Sequence, residues 1–232
     1  MTRKLETIFL DAGGVLVFPN WTRVSDELAR HAVQISADAL AAAEPHAKRQ
    51  LDLGATIDAT NDERRGWLYF NLVLTHAGVP LSAATDAALA ALNTYHAEHN
   101  LWETVPDDVV PALARLRALG LRLVIVSNAN GTLHAVFTRL GLAERVDVLF
   151  DSYRERVEKP DPRLFEIALE RSGARAETTI HVGDLYHVDV VGARAAGLRT
   201  VLLDAADLYP EADCTRVRSL AELCDRLARG DL

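Results

Sequence analysis

Short apolar runs alternate with helical segments over the C-terminal half of the chain, and this alternation is the strongest constraint on its fold. The predicted strands are 7–10, at the start of the chain, and then 121–126, 146–150, 179–182 and 200–203. The predicted helices between and after them are 108–119, 132–140, 162–172, 189–196 and about 219–228. Strands and helices that alternate with short connections form a parallel sheet covered on both faces. We therefore predict an α/β fold with a Rossmann-like, doubly wound parallel sheet.

A helical block interrupts this pattern between the first strand and the second. Helical periodicity covers about 21–100, with predicted helices at 25–43, 61–76 and 82–99 and a predicted loop at 52–60. Because no part of this block has a strand pattern, we interpret it as an all-helical domain inserted over the strand ends. The predicted domains are an α/β core of 1–16 and 101–232 and a helical cap domain of 17–100.

Polar side chains stand where several predicted strands end. Asp11 follows the first strand, Ser127 and Asn128 follow the strand 121–126, and Asp184 follows the strand 179–182. The carboxyl ends of the strands converge at one edge of an open parallel sheet. These groups are therefore expected to share one site, although they are far apart in sequence.

Composition restricts the partners and the location. The formal net charge of −8 argues against nucleic acid or an anionic membrane as the main partner. No apolar run approaches the roughly 20 residues of a membrane span, and the N-terminus leads straight into the first strand without room for a signal peptide. Cys214 and Cys224 lack the spacing of metal ligands, and we interpret them as two buried or incidental thiols of a cytosolic protein. We expect a cytoplasmic protein, and the oligomeric state is left open.

Four motifs together resemble the haloacid dehalogenase-like (HAD) superfamily. They are residues 11–16 (DAGGVL), Ser127, Lys159 and residues 183–189 (GDLYHVD), in the order of the family. Residues 159–165 and 189–197 are also similar to members with a helical cap, and 17–100 then corresponds to the cap inserted after the first motif. One such motif is weak evidence, but four in order with the expected spacing are strong evidence.

The resemblance implies a nucleophile and a metal site. Asp11 takes the position of the aspartate that attacks the substrate and forms a covalent aspartyl intermediate. A Mg²⁺ ion would be held by Asp11, Asp184, the backbone carbonyl of Gly13, and Asp189 either directly or through water. The cation is needed because a carboxylate and a phosphate repel each other.

The remaining two motifs imply groups that bind the transferring phosphoryl group. Lys159 would neutralise charge on the nucleophile and on that group. Ser127, together with the backbone N–H of Asn128, would hydrogen-bond phosphate oxygens. The resemblance therefore favours a phosphatase of a small phosphorylated metabolite.

One position departs from the family pattern. Phosphatases of this superfamily usually carry a second aspartate two positions after the nucleophile, where it acts as general acid and base, and here that position is Gly13. Loss of such a group typically costs about 10²–10⁴ in rate. Three explanations are open: the substrate has a good leaving group, a histidine such as His187 or one in the cap replaces the aspartate, or the protein hydrolyses little.

Three alternatives follow from this departure. A 2-haloacid dehalogenase also lacks the second aspartate, but it works without Mg²⁺ and does not need the pair Asp184 and Asp189. A phosphonate-cleaving enzyme would use a cap lysine, and Lys48, the only lysine of the cap, is more simply interpreted as a surface residue. A weakened member could bind a phosphorylated ligand without turnover.

The predicted cap loop and the helix after it are candidates for substrate selection. The candidate side chains there are Asp58, Asn61, Arg64, Arg65 and Trp67. Arg64 and Arg65 could contact a substrate anion, but adjacent residues of a helix point in different directions, and a solvated pair is the default interpretation.

Overall fold

The chain divides into two compact units. The computed structural model describes residues 4–59 and 62–232. One unit contains Met1–Phe18 and Val105–Leu232, and the other contains Pro19–Thr104. The sequence prediction placed the two boundaries after residues 16 and 100. We call these the α/β unit and the helical unit.

The α/β unit is built on one parallel sheet. Over the described residues the strands of the whole chain are β1 Thr7–Leu10, β2 Phe18–Pro19, β3 Trp102–Thr104, β4 Arg122–Ser127, β5 Val148–Asp151, β6 Thr179–Gly183, β7 Arg199–Leu203 and β8 Thr215–Val217, of which β3 belongs to the helical unit. Six of them form the sheet in the order β5-β4-β1-β6-β7-β8, and β2 pairs with β3 separately. The chain moves outward from β1 in one direction and then in the other, so the predicted doubly wound α/β fold is confirmed.

Helices flank this sheet. In the α/β unit they are α6 Val109–Ala118, α7 Leu133–Arg139, α8 Ser152–Glu155, α9 Pro162–Ser172, α10 Gly192–Ala195 and α11 Leu220–Arg229. The sheet and α9 share an apolar cluster that includes Phe9, Val124 and Phe165. Strands β1 and β6 are buried along their whole length, as expected for central parallel strands.

The predicted helix 189–196 is wrong in its first part. A π-helical segment, Tyr186–Val191, comes first, and α10 follows it. The helical turns therefore begin at Tyr186 and not at Asp189. The Asp189 carboxylate points back toward the start of this segment, where its Oδ2 accepts a hydrogen bond from the backbone N–H of Leu185 (3.1 Å). Wider helical turns of this kind occur frequently at functional sites.

The helical unit contains five described helices. They are α1 Trp21–Arg30, α2 Ala37–Leu51, α3 Gly54–Ala59, α4 Asp62–His76 and α5 Ala83–His99. The predicted helix 25–43 is wrong, because the chain breaks between α1 and α2, where Ala32 has a positive φ of 62°. Ser36 then caps α2 by accepting a hydrogen bond from the N–H of Ala39. The predicted loop 52–60 is also wrong over α3.

A buried glutamate lies inside the apolar core of the helical unit. Glu44 is 6% exposed and accepts hydrogen bonds from Trp21 Nε1 (3.3 Å) and the Tyr69 hydroxyl (2.8 Å). Lys48, one turn further along α2, approaches it with Nζ 2.9 Å from Oε1. The donors of the unit itself therefore satisfy this carboxylate.

Neither a membrane helix nor a disulfide is found in the described residues. No described helix is long and apolar enough to cross a membrane. Cys214 and Cys224 are free thiols, and burial raises the pKa of each.

Candidate active site

The predicted polar groups meet at the carboxyl edge of the sheet. Asp11 follows β1, and the two neighbours of β1 are β4 and β6. The register places Leu10 beside Ile125 on one side and beside Val182 on the other, so the three strands end at about the same level. As a result, Asp11, Asp184 and Asp189 each present an oxygen within 4.8 Å of the others.

One lysine enters this group of carboxylates. Lys159 is 1% exposed, and its Nζ lies 2.9 Å from Asp11 Oδ1 and 2.7 Å from Asp189 Oδ1. With all groups ionised, three carboxylates contribute −3 and Lys159 contributes +1, which leaves −2 in a buried site. Uncompensated buried charge is costly, so the cluster favours a further cation.

The pKa shifts reflect this crowding. Burial lowers the pKa of Lys159, but the charges of Asp11 and Asp189 outweigh burial and hold it well above its usual value. Burial raises the pKa of Asp189, but Lys159 and His181 outweigh burial and bring it well below its usual range. The pKa of Asp11 is raised, because burial and the charge of Asp189 exceed the lowering by Lys159 and Ser127.

The side chain of Asn128 holds the main chain at Lys159. Its Oδ1 accepts a hydrogen bond from the N–H of Lys159 (2.7 Å), and its Nδ2 donates to the carbonyl of Lys159 (3.0 Å). Sequence reasoning considered only the backbone N–H of Asn128. Ser127 is buried at the end of β4, and its Oγ lies 3.3 Å from the carbonyl of Asn128.

The loop after β4 is held by residues that sequence reasoning missed. The carboxylate of Asp151 accepts hydrogen bonds from the N–H groups of Gly131 (3.2 Å) and Leu133 (3.3 Å). Ser152 Oγ accepts from the N–H of Ala129 (3.1 Å). Because β5 lies beside β4, the polar residues Asp151 and Ser152 at the end of β5 were the sequence signal that could have identified this support.

Gly183 allows Asp189 to approach the strand. A Cβ at Gly183 would lie 2.1 Å from Asp189 Cγ, so any side chain there would displace the carboxylate. The two oxygens of Asp189 accept from Lys159 Nζ, from His181 Nε2 (3.0 Å) and from the N–H of Leu185 (3.1 Å). His181 is the second group that sequence reasoning missed.

Gly13 lies in a tight turn directly after Asp11. The N–H groups of Leu16 and Val17 both donate to the carbonyl of Ala12, at 2.9 Å each, and Gly14 has a positive φ of 76°. Gly14 thus permits the reversal of the chain that follows Asp11. His187, the proposed replacement acid, lies in the π-helical segment with its ring 5.3 Å from that of Tyr186, and its role stays a prediction.

The side chains that the sequence offered as candidates for substrate selection are described only in part. Trp67 is 39% exposed, whereas the side chains of Asp58, Arg64 and Arg65, and residue Asn61, lie outside the described part. Lys48 is not a freely solvated surface lysine, since it pairs with buried Glu44 and is 17% exposed. This pairing weakens the phosphonate-cleaving alternative.

Comparison with known proteins identifies the family. The family model of haloacid dehalogenase-like hydrolases matches residues 5–197, which include all the site residues named above. The chain belongs to the haloacid dehalogenase-like hydrolases. The resemblance inferred from the four motifs is therefore confirmed, and the chain is a hydrolase of this family.

Several curated relatives are similar to this HAD-like hydrolase. Ribulose-1,5-bisphosphate 5-phosphatase of Halopiger xanaduensis is 34% identical over 166 residues, which are 71% of this chain and 65% of that protein. Haloacid dehalogenase-like hydrolase domain-containing protein 3 of Danio rerio is 38% identical over 46% of this chain and 43% of its own length. Glyceraldehyde 3-phosphate phosphatase of Methanopyrus kandleri is 28% identical over 69% of this chain and 73% of its own. The chain thus matches less than two thirds of the length of the first two relatives.

Solved structures share the fold. The HAD-hydrolase YfnB from Bacillus subtilis, crystallised with magnesium, gives a TM-score of 0.70 at 19% identity over 97% of this chain and 99% of its own. A dehalogenase solved as an intermediate complex gives 0.67 at 23% identity over 98% and 99%. Because phosphatases and dehalogenases share this architecture, the fold alone does not choose between them.

Proposed function

We propose that this HAD-like hydrolase is a Mg²⁺-dependent phosphatase that hydrolyses a small phosphorylated metabolite through an aspartyl-phosphate at Asp11. The observation that carries the proposal is the excess of buried carboxylate over buried ammonium around Asp11. Relatives named as phosphatases of ribulose-1,5-bisphosphate and glyceraldehyde 3-phosphate support a phosphorylated metabolite as the substrate class.

The donor set fits a magnesium ion. Mg²⁺ prefers oxygen ligands and is usually held by one or two carboxylates together with water and substrate phosphate. Asp11 and Asp184 would supply the carboxylates, with the carbonyl of Gly13. An ionised carboxylate has about four lone-pair sites. Since three described donors already bind Asp189, it would reach the ion through a remaining site, either directly or through water.

The residues of the chain would act in sequence. When bound, the cation offsets the repulsion between the Asp11 carboxylate and the substrate phosphate. Lys159 Nζ and the N–H of Ala12 (2.8 Å) both bind Asp11 Oδ1 and thereby orient the carboxylate for attack on phosphorus. Ser127 and the backbone N–H of Asn128 hold the phosphoryl oxygens. The bond from phosphorus to the leaving oxygen breaks as the bond to Asp11 forms, and water then cleaves the aspartyl-phosphate to release phosphate and restore Asp11.

The turn at Gly13 narrows the substrate class. Glycine at this position has no group that can protonate the leaving oxygen. An alkoxide therefore leaves poorly, whereas the carboxylate of an acyl phosphate leaves without a proton. We infer that acyl phosphates are hydrolysed faster than alkyl phosphates.

The chemistry we propose needs no macromolecular partner. The net charge of −8 disfavours nucleic acid and anionic membranes as partners, and the free thiols favour a cytoplasmic location.

A three-substrate assay tests the proposal. We expect purified protein to release phosphate from acetyl phosphate and p-nitrophenyl phosphate only with Mg²⁺, and to release no chloride from 2-chloropropionate. Asp11→Asn should remove phosphate release by about 10⁴-fold or more while keeping the melting temperature near that of the wild type. Metal-independent chloride release would instead identify a dehalogenase. Absence of all three activities would favour a member that only binds a phosphorylated ligand.

A further inference from the structure

His181 occupies a position in the apolar interior. It lies on β6, is 0% exposed, and is paired in register with Phe9 on β1 and Thr200 on β7. Its ring stands edge-on to that of Phe165, with 4.8 Å between the centroids. An apolar residue would fill this space without burying ring nitrogens, so packing alone does not explain a histidine here.

The His181 ring forms a hydrogen bond to Asp189. Nε2 lies 3.0 Å from Asp189 Oδ1, and a carboxylate oxygen accepts, so Nε2 is the donor. Among the residues that the structure describes, Nδ1 has no hydrogen-bond partner. The one polar contact of this buried ring is therefore made to a residue of the proposed metal site.

That contact completes the support of Asp189. Lys159 Nζ and His181 Nε2 share Oδ1, and the N–H of Leu185 binds Oδ2. Without His181, Lys159 would be the only described side chain that holds Asp189. The carboxylate could then rotate, and Lys159 could follow it away from Asp11.

We propose that His181 is a positioning residue that fixes the Asp189 carboxylate, so that Oδ1 faces Lys159 and the remaining lone pair faces the cation. This inference rests on the Mg²⁺ site of the proposed function. It assigns to the interior of the sheet a residue that supports the site without touching the substrate.

The test compares four variants by Mg²⁺ binding without substrate. His181→Leu and His181→Met remove the donor and keep an apolar side chain. His181→Gln retains an N–H at about the place of Nε2. Val124→Ala is the matched control, since Val124 lies in the apolar cluster of Phe9 and Phe165, is 0% exposed and belongs to β4, away from Asp189. Calorimetry gives the Mg²⁺ dissociation constant, and the melting temperature with and without Mg²⁺ gives a second readout.

We expect His181→Leu and His181→Met to weaken Mg²⁺ binding about 10- to 100-fold, as is typical when a group that orients a metal ligand is lost. His181→Gln should stay within about threefold of the wild type, and Val124→Ala should lower the melting temperature without changing Mg²⁺ affinity. If the Leu or Met variant binds Mg²⁺ like the wild type, or if Gln fails to restore binding, the role of His181 is wrong although the metal site stands. If the wild type itself binds no Mg²⁺, the proposed metal site is wrong and this inference falls with it.

Discussion

The helical unit and the α/β unit each bury carboxylates, but they compensate the charge differently. In the helical unit, Glu44 receives an indole N–H, a phenol O–H and the ammonium of Lys48. In the α/β unit, Asp11 and Asp189 share the single ammonium of Lys159, and Asp184 lies within the same 4.8 Å cluster. One carboxylate is matched by one ammonium, whereas Lys159 is the one ammonium found among the described residues of the three-carboxylate cluster.

This difference separates a structural charge from a functional one. A buried carboxylate that is fully hydrogen-bonded contributes to a specific packing arrangement, and nothing further is needed to stabilise it. A buried cluster with excess negative charge is stable only with another cation or with protonation of one of its members. Burial and the neighbouring charge of Asp189 raise the pKa of Asp11, which is the direction that the second response requires.

The largest contrast is expected between the two lysines. Each lysine has its Nζ 2.9 Å from a buried carboxylate oxygen. Lys159→Met should lower phosphate release by about 10³-fold, because it removes a charge that stabilises the transition state, and should destabilise the fold by about 3–5 kcal/mol. Lys48→Met should cost about 1–2 kcal/mol and leave activity unchanged. Steady-state kinetics and chemical denaturation of both variants would measure the contrast. An inactive Lys48→Met variant would contradict a purely structural role for Lys48.

Two glycines offer the next comparison. Gly183→Ala places a methyl group 2.1 Å from Asp189 Cγ, and a displacement of about 1 Å at a catalytic group can cost about 10²-fold in rate. Gly66→Ala, in α4 of the helical unit, meets no atom within 4 Å and should raise stability by about 0.5–1 kcal/mol. Phosphate release and urea denaturation distinguish the two effects. Normal activity in Gly183→Ala would show that the position of Asp189 is not critical.

A smaller effect is expected at Asn128. Asn128→Ala removes both hydrogen bonds to the main chain of Lys159 and should lower kcat about tenfold, with a loss of about 1–3 kcal/mol in stability. Because the backbone N–H of Asn128 is retained, KM should change little. A large increase in KM with unchanged kcat would instead place the side chain in substrate binding.

The mildest and most graded effect is that of pH on Mg²⁺ binding. Burial, the largest cause, raises the pKa of Asp11 in the metal-free protein. A proton on Asp11 competes with the cation, so Mg²⁺ affinity should fall as the pH is lowered through that raised pKa. Calorimetric titration at several pH values would measure this. An affinity that rises on acidification would contradict the assignment of Asp11 as a ligand.

Sequence reasoning predicted those parts of the molecule that follow from strand ends. The strand runs before Asp11, Ser127 and Asp184 correctly placed three polar groups at neighbouring positions of one sheet. The sequence did not show that the Asp189 carboxylate accepts a hydrogen bond from the N–H of Leu185. It also did not show that a π-helical segment precedes the α-helix in this region. That geometry depends on the contact with Gly183, which only three-dimensional packing creates.

His181 and the pair Asp151 and Ser152 were missed for a related reason. A histidine inside the strand run 179–182 resembles an ordinary core residue until the opposite partner, Asp189, is known. The break between α1 and α2 was missed because the alanine-rich pattern continues across it, whereas the structure ends α1 at Arg30 and begins α2 after the N-cap Ser36. Long-range hydrogen bonds and helix caps leave little periodic pattern in a sequence. They determine the structure at the positions named here, so periodicity could not predict it.

A crystal structure with Mn²⁺ in place of Mg²⁺ would test the central claim most directly, because anomalous scattering locates the ion without ambiguity. We predict one anomalous peak bonded to oxygens of Asp11 and Asp184, with Asp189 still held by Lys159 and His181. A cluster that stays free of the ion at saturating Mn²⁺, or an ion bound only elsewhere on the chain, would contradict the account.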